Sequence, residues 1–265
     1  MIRLTSSQNP LIKEVRALKN KSDREEKGRY FIEGVRFVEE ALKENARIEY
    51  LMVSDTLSGD HAFEYLQKVI ENTGLDCYLL PDSLFASISD THTPQGILAV
   101  LELNRTELGS AELKDGLLII LDGIKDPGNM GSIIRTADAA GCAGVVVPDG
   151  CVDVYNPKVL RSTMGSVFHI PVYHCDDIAD AVKIIKDHGF RLCASHLEGS
   201  ASIYDTDLTG SVALVIGSEA EGIGTETLKA ADLLVRIPMK GRAESLNASV
   251  AAGIMIFEAM RQRKI

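Results

Sequence analysis

The sequence lacks any apolar run of the roughly 18 residues that a membrane-spanning helix needs. Its first residues also lack the apolar segment of a secretory signal. We therefore expect a cytoplasmic protein with no membrane partner. With 45% hydrophobic and 25% charged residues, the 265-residue chain has the composition of a globular protein with one large domain or two smaller ones.

The residue patterns of disulfide, metal and phosphate-loop chemistry are also missing. The five cysteines are an odd number without a C-x-x-C pair, which favours reduced core thiols over a disulfide framework or a zinc site. The six histidines show no H-x-x-x-H or H-E-x-x-H spacing, so the sequence predicts no metal site. No segment matches G-x-x-x-x-G-K-[ST] or G-x-G-x-x-G, which makes a dinucleotide enzyme a weak alternative.

Positive charge is scarce overall but concentrated near the start of the chain. The net charge of -10 argues against unselective binding of nucleic acid, because neutralising phosphates normally takes a surplus of Lys and Arg. Residues 1–36 nevertheless contain nine Lys and Arg against five Asp and Glu. This distribution is compatible with a basic face on an acidic protein. A solvated amphipathic helix is the alternative explanation of the same charges.

The apolar pattern predicts a small α/β domain at residues 1–103. Apolar residues recur at helical spacing from residue 11 to 18, and short apolar strands then alternate with helices. The predicted strands are 30–32, 50–53, 77–80 and 96–100, with a helix at 61–70. The polar stretch 104–115 is the predicted linker.

A larger α/β domain is predicted at residues 116–265. It begins with a nearly continuous apolar run at 117–121, which is typical of a strand buried on both faces of a parallel sheet. Further strands are predicted at 144–147, 191–194, 212–216 and 233–237. The final helix is predicted to carry an apolar face made of Leu246, Val250, Ile254 and Phe257.

Three turns of the second domain each follow an apolar strand and are rich in glycine or small polar residues. They are residues 122–131, which lead into a helix with Arg135, residues 217–222, and residues 237–247. Open α/β sheets bind ligands at such strand ends. Taken singly, each segment is explained by an ordinary glycine-containing turn.

Together the three turns resemble the motifs of the SpoU/TrmH family of RNA ribose methyltransferases. The resemblance is carried by 126–137 for the first motif, by 216–222 for the second, and by 237–239 with 245–247 for the third. Residues 161–168 are similar to a segment of the ribosomal-RNA branch, and 31–36 and 94–97 are similar to its substrate-binding domain. The resemblance covers nearly the whole chain and is weakest around 57–89.

The resemblance implies an α/β fold with two domains. The C-terminal domain is expected to have the SPOUT-type parallel sheet with a trefoil knot, to hold the methyl donor S-adenosylmethionine, and to form a homodimer. The smaller N-terminal α/β domain is expected to dock structured RNA. Because the chain has this domain, ribosomal RNA is favoured as the substrate. A transfer-RNA 2′-O-methyltransferase and a non-catalytic RNA-binding assembly factor are the alternatives.

The resemblance also implies the residues of the site. Those matching catalytic positions are Arg135, Asn129, Glu219, Ser245 and Asn247, and those matching donor-binding positions are Gly217, Ile237 and Leu246. No metal is required, because the sulfonium donor already carries its leaving group. The presence of all five catalytic-type residues favours an enzyme over an RNA-binding module.

The role of Arg135 follows from its chemistry once it is placed beside the 2′-hydroxyl. A guanidinium with a pKa above about 12 is hard to deprotonate, so we favour stabilisation of developing negative charge over general-base catalysis. Two other groups have simpler explanations. Ser245 and Asn247 are also suited to cap the final helix, and Ile237 and Leu246 to ordinary core packing.

Overall fold

The computed structural model describes residues 1–60, 63–196, 201–218 and 221–263. Contacts divide the chain into two compact units. The first consists of Met1–Asn104 and Tyr155–Phe168, and the second of Arg105–Val154 and His169–Ile265. A short segment is therefore built into the first unit although the chain on both sides of it belongs to the second. None of the helices in the described ranges is long and apolar enough to cross a membrane.

The first unit is built on a five-stranded mixed sheet in the order β1-β4-β3-β5-β2. β5 is antiparallel to β3 and β2, whereas β1, β4 and β3 are parallel. The strands are β1 (Ile2–Arg3), β2 (Arg29–Glu33), β3 (Ile48–Ser54), β4 (Asp76–Leu80) and β5 (Ile97–Glu102). The helices are α1 (Pro10–Ala17), α2 (Lys21–Lys27), α3 (Val35–Lys43), α4 (Asp55–Ser58), α5 (Glu64–Thr73), α6 (Asp82–Ile88) and, from the later segment, α8 (Pro157–Thr163).

The core of this unit confirms the predicted apolar pattern. α1 begins where the Asn9 side chain accepts a hydrogen bond from the backbone of Leu11, and Pro10 occupies the first helical turn. Ile12 and Val15, with Leu18 just beyond the helix, are fully buried in one cluster with α6 and one face of the sheet. All four predicted strands are present. The helix predicted at 61–70 is α5, and its first two predicted residues lie outside the described ranges.

A buried carboxylate fixes the chain between α6 and β5. Glu33, at the end of β2, is only 8% exposed. Its side chain accepts hydrogen bonds from Ser89 Oγ at 2.6 Å, Thr91 Oγ1 at 2.7 Å and the backbone N–H of Asp90 at 3.0 Å. Buried carboxylates are stable only when such donors replace water. Glu33 therefore holds residues 89–91 against the end of the sheet.

The second unit is built on an eight-stranded parallel sheet in the order β11-β13-β10-β12-β7-β8-β9-β6. Its strands are β6 (Thr106–Glu107), β7 (Leu117–Asp122), β8 (Gly144–Pro148), β9 (Val172–Cys175), β10 (Arg191–Ser195), β11 (Ala201–Ser202), β12 (Val212–Gly217) and β13 (Leu233–Arg236). Its helices are α7 (Pro127–Ala139), α9 (Ile178–Asp187), α10 (Thr225–Ala230) and α11 (Ala248–Gln262). The predicted parallel sheet and its five strands are confirmed. The trefoil knot stays a prediction.

The final helix begins later than the sequence pattern predicts. Leu246 lies before α11 and not on its apolar face, so that part of the prediction is wrong. The reason is the side chain of Asn247, which accepts hydrogen bonds from the backbone N–H groups of Ser249 and Val250 and thereby starts the helix after itself. Periodicity alone does not reveal this boundary, since Leu246 has the same spacing as the helical residues that follow.

The strand order brings the three predicted turns to one edge of the sheet. From β7 the chain proceeds to β8 and β9 on one side, whereas β12, β10 and β13 lie on the other. β7 and β12 are neighbours, so the direction of strand addition changes between them. Because all these strands are parallel, the segments that follow β7, β12 and β13 emerge at the same edge. In open α/β sheets such a switch point is where ligands bind.

Removing the Glu33 carboxylate is expected to destabilise the first unit. Glu33→Ala leaves the donors of Ser89, Asp90 and Thr91 without their acceptor, which costs about 2–3 kcal/mol. The exposed Glu26 of α2 offers a matched control, and Glu26→Ala should change stability by less than about 0.5 kcal/mol. Urea unfolding followed by circular dichroism measures both. Equal unfolding midpoints for the two variants would contradict this role of Glu33.

Candidate active site

A cleft of about 650 Å³ lies at the carboxyl ends of β12 and β13. Its volume is within the range of sites that bind small molecules. The turn after β12, the segment after β13 and the start of α11 form its walls. Four of the residues singled out in the sequence line it: Gly217, Ile237, Ser245 and Leu246. The structure thus brings the second and third motifs together around one cavity.

The turn after β12 is closed by a very close approach of two backbone segments. A Cβ atom on Gly217 would lie 2.3 Å from the carbonyl carbon of Gly222, so no other residue fits at 217 without moving the turn. Ser218 and Gly222 exchange two backbone hydrogen bonds, of 3.1 and 2.9 Å. Gly222 has a φ of +70°, a conformation that favours glycine. Glu219 lies outside the described residues.

Asp122 links this turn to the neighbouring strand. It is the last residue of β7, and its Oδ2 accepts a hydrogen bond of 2.8 Å from the backbone N–H of Gly224. The carboxylate therefore fixes the far end of the turn that Gly217 opens. Sequence analysis gave Asp122 no role of its own. The sequence feature that could have indicated its role is a carboxylate directly at the end of a buried strand.

The first and third motifs meet through two asparagines. Asn247 Nδ2 donates a hydrogen bond of 2.9 Å to Asn129 Oδ1, which joins the start of α11 to the first turn of α7. Asn129 is 8% exposed, and its backbone N–H donates to the Asp126 side chain that caps α7. The interpretation of Asn247 as a helix cap is confirmed, and the same side chain also contacts Asn129. Ser245 lies before the cap and lines the cleft.

Arg135 lies apart from this cleft in the single chain. It is exposed on α7, and the walls that the described residues form include neither Arg135 nor the Asn129–Asn247 pair. The neighbours of Asn247 on both sides, Leu246 and Ala248, do line the cleft. The structure therefore joins the predicted donor-binding residues directly, places the asparagine pair next to them, and leaves Arg135 on a separate surface of α7.

The cysteines are free thiols, as the sequence predicts. Burial raises the pKa of Cys142 and of Cys193 to about 12, so both thiols stay protonated at neutral pH. Cys151 lies close to the first motif, where its Sγ donates to the carbonyl oxygen of Leu121 at 3.4 Å. Burial also raises the pKa of Cys151, which does not favour a thiolate nucleophile.

Family models match both parts of the chain. The model of the SpoU rRNA Methylase family matches residues 116–257, more than half of the sequence. This chain belongs to the SpoU rRNA methylase family. A second model, the MRM3-like substrate binding domain, matches residues 9–99 of this SpoU family member. The family assignment expected from the three motifs is confirmed.

Two rRNA methyltransferases match this SpoU family member over nearly its whole length, and a tRNA enzyme matches about half of it. The 23S rRNA (guanosine(2553)-2′-O)-methyltransferase RlmP of Bacillus subtilis is 35% identical, over 97% of this chain and 98% of RlmP. The structure of an AdoMet-bound rRNA methyltransferase from Sinorhizobium meliloti is similar with a TM-score of 0.87 at 33% identity, covering 98% of this chain and 97% of that one. The A. aeolicus TrmH/SpoU tRNA modifying enzyme matches with a TM-score of 0.51 at 33% identity, over 56% of this chain and 75% of its own.

Two substitutions of Asn247 separate its capping contact from its contact with Asn129. Asn247→Ala removes both and should cost about 1–2 kcal/mol of stability, the usual effect of losing an N-cap. Asn247→Asp keeps the capping oxygen and loses the donor to Asn129, so it should cost about 1 kcal/mol less than Asn247→Ala. Urea unfolding of the two variants measures the difference. If the aspartate variant were as unstable as the alanine variant, the amide contact and not the cap would dominate.

Proposed function

We propose that this SpoU family member transfers a methyl group from S-adenosylmethionine to a ribose 2′-hydroxyl of ribosomal RNA. The observation that carries the proposal is the cleft at the carboxyl ends of β12 and β13, which is built from the family's second and third motifs. The rRNA methyltransferases among the relatives match almost the whole chain, whereas the tRNA enzyme matches little more than half. This difference favours ribosomal over transfer RNA, and with it a cytoplasmic site of action.

We assign the donor to this cleft. Gly217 offers backbone groups that a ligand can approach closely, and Ile237 with Leu246 offers apolar surface suited to an adenine ring. Asp122 acts as a positioning residue, since it holds the end of the turn that contains Gly217. When bound, S-adenosylmethionine would supply the methyl group, with its C–S bond broken as the C–O bond forms, neutral S-adenosylhomocysteine as the leaving group and the 2′-hydroxyl proton passing to solvent. The chain itself has to provide alignment and charge stabilisation.

We assign the charge stabilisation to Arg135. Its guanidinium is suited to stabilise a 2′-oxygen that becomes negative, with a second contact to a neighbouring phosphate. The Asn129–Asn247 pair and Ser245 are then suited to orient the ribose. Glu219 would hold Arg135 or accept a hydrogen bond from the substrate. The N-terminal unit is assigned to RNA affinity, without a role in donor binding.

We further propose a homodimer through α11. Val250 and Phe257 are each 49% exposed, and with Ile254 they form an apolar stripe that a solvent-facing helix does not need. α11 packs against α7, which carries Arg135, so a second subunit on this face would lie near that residue. Light scattering at micromolar concentration should give twice the mass of the 28.8 kDa chain. A mass of one chain would overturn the dimer and any sharing of residues between subunits.

Methyl transfer to a 23S rRNA transcript tests the function and the role of Arg135 together. The full chain should leave a 2′-O-methyl group on a single nucleotide, which nuclease digestion and mass spectrometry locate. Arg135→Ala should lower single-turnover transfer by about 10²–10³ with little change in donor affinity. Arg135→Lys should be nearly as slow, since a point charge does not reproduce a forked contact.

Three results would contradict these assignments. Donor binding or RNA binding without any methyl transfer by the wild-type chain would favour the RNA-binding assembly factor. Near-normal transfer by Arg135→Ala would leave the function in place but move the stabilising role to Glu219 or Ser245. Rescue of most of the rate by Arg135→Lys would show that a point charge is enough.

A further inference from the structure

We propose that the first unit contacts RNA phosphates through a surface made from two distant parts of the chain. The surface consists of Arg16 and Lys19 from the α1 region and Arg161 of α8, gathered around residues 87–90. We call it the phosphate-contact surface. The proposal rests on the proposed function, because it takes RNA to be the substrate.

The α1 side of the surface contributes two cations that no carboxylate of the described residues neutralises. Arg16 donates a hydrogen bond of 2.8 Å to Ser87 Oγ, and Lys19 Nζ donates one of 2.6 Å to the carbonyl oxygen of Ser89. Both partners are neutral, and in the described part of the chain neither cation has a carboxylate partner. These contacts fix the position of the charges without cancelling them. A fixed cation loses little side-chain entropy when it binds a phosphate.

Arg161 reaches the same segment from α8 and contacts Asp90. Its guanidinium donates to Asp90 Oδ2 at 2.7 Å, and the two side chains are about one-third exposed. α8 is held in the first unit by Tyr155, whose hydroxyl donates to the carbonyl oxygen of Asn104 at 2.8 Å and whose ring lies 4.8 Å from that of Tyr30. A segment from the middle of the chain is thus a fixed part of the RNA-docking unit.

Residues 87–90, which contact these cations, are themselves held in place. The buried carboxylate of Glu33 accepts hydrogen bonds from Ser89 and Asp90. On the other side of the same connection, Gln95 Oε1 accepts a hydrogen bond of 2.9 Å from the backbone N–H of Val35. The position of the three cations is therefore set by the core of the unit and not by a loose loop. Such preorganisation favours tight contact with a rigid polyanion.

The charge balance favours RNA as the partner. Among the described residues, only Arg161 of the three cations pairs with a carboxylate, that of Asp90, so the surface keeps a positive balance. The whole chain carries -10, and most of its surface repels a polyanion. A local cluster of Arg and Lys is then the part of the first unit best suited to phosphates, which both side chains bind well. Residues 9–99 also match a substrate-binding domain model.

The test removes the two unneutralised charges and measures the salt dependence of RNA binding. Arg16→Gln with Lys19→Gln should raise the Kd for a 23S rRNA transcript of Bacillus subtilis at least tenfold. Between about 50 and 200 mM salt, the slope of log Kd against log salt should fall by about 1.4–1.8, since each of the two lost phosphate contacts accounts for roughly 0.7–0.9. Arg161→Gln should reduce the slope by less, because Asp90 already neutralises part of its charge.

The chain offers a matched control. Lys43→Gln with Lys68→Gln removes the same formal charge from α3 and α5, where Lys43 Nζ lies 3.5 Å from Glu40 and Lys68 is exposed. The described residues of both helices take no part in the core cluster around α1 and α6. This variant should keep nearly the wild-type Kd and slope. All variants should bind S-adenosylmethionine like the wild type and melt at a similar temperature.

Three results would overturn the proposal that this surface contacts RNA phosphates. The first is a wild-type Kd and slope for Arg16→Gln/Lys19→Gln. The second is an equal loss in the Lys43/Lys68 control, which would show an effect of net charge alone. The third is a wild-type chain that does not bind the transcript, which would contradict the proposed function as well. In the first two cases, continued methylation of 23S rRNA would leave that function standing.

Discussion

The cleft at the carboxyl ends of β12 and β13 depends on the close approach of the backbone between Gly217 and Gly222. A single added Cβ would come within 2.3 Å of the facing carbonyl carbon, so the turn after β12 exists in this form only with glycine at 217. The hydrogen bond from Gly224 to Asp122 fixes the other end of the turn on the neighbouring strand. Because β7, β12 and β13 are parallel, this turn meets the segment after β13, and the cleft forms between them.

Much of this architecture was predictable because buried parallel strands have nearly continuous apolar sequences. The run at 117–121 is β7, and every strand predicted in the second domain is present. The start of α11 was not predictable from periodicity, since the cap at Asn247 overrides the spacing of Leu246. The short strands β1, β6, β9 and β11 were also missed, because a few residues carry too weak a pattern.

The motifs predicted which residues belong to the site. They did not predict the roles that depend on contacts between distant residues. Gly217, Ile237, Ser245 and Leu246 share one cleft. The role of Asp122 was missed, because its partner is a backbone N–H about a hundred residues later and such a contact leaves no side-chain pattern. The sequence indicated Arg161 only as part of segment 161–168, which is similar to a segment of the ribosomal-RNA branch. Its place in the first unit follows from the packing of Tyr155 near Tyr30, a contact between distant residues.

The account stands on the claim that this cleft binds the methyl donor, and calorimetric titration of S-adenosylmethionine into the full chain tests that claim most directly. We expect one saturable site per chain. Gly217→Val, which forces the turn open, should weaken binding at least tenfold, or by about 1.4 kcal/mol. Absence of binding by a folded wild-type chain would contradict the account, and so would wild-type affinity in a folded Gly217→Val variant.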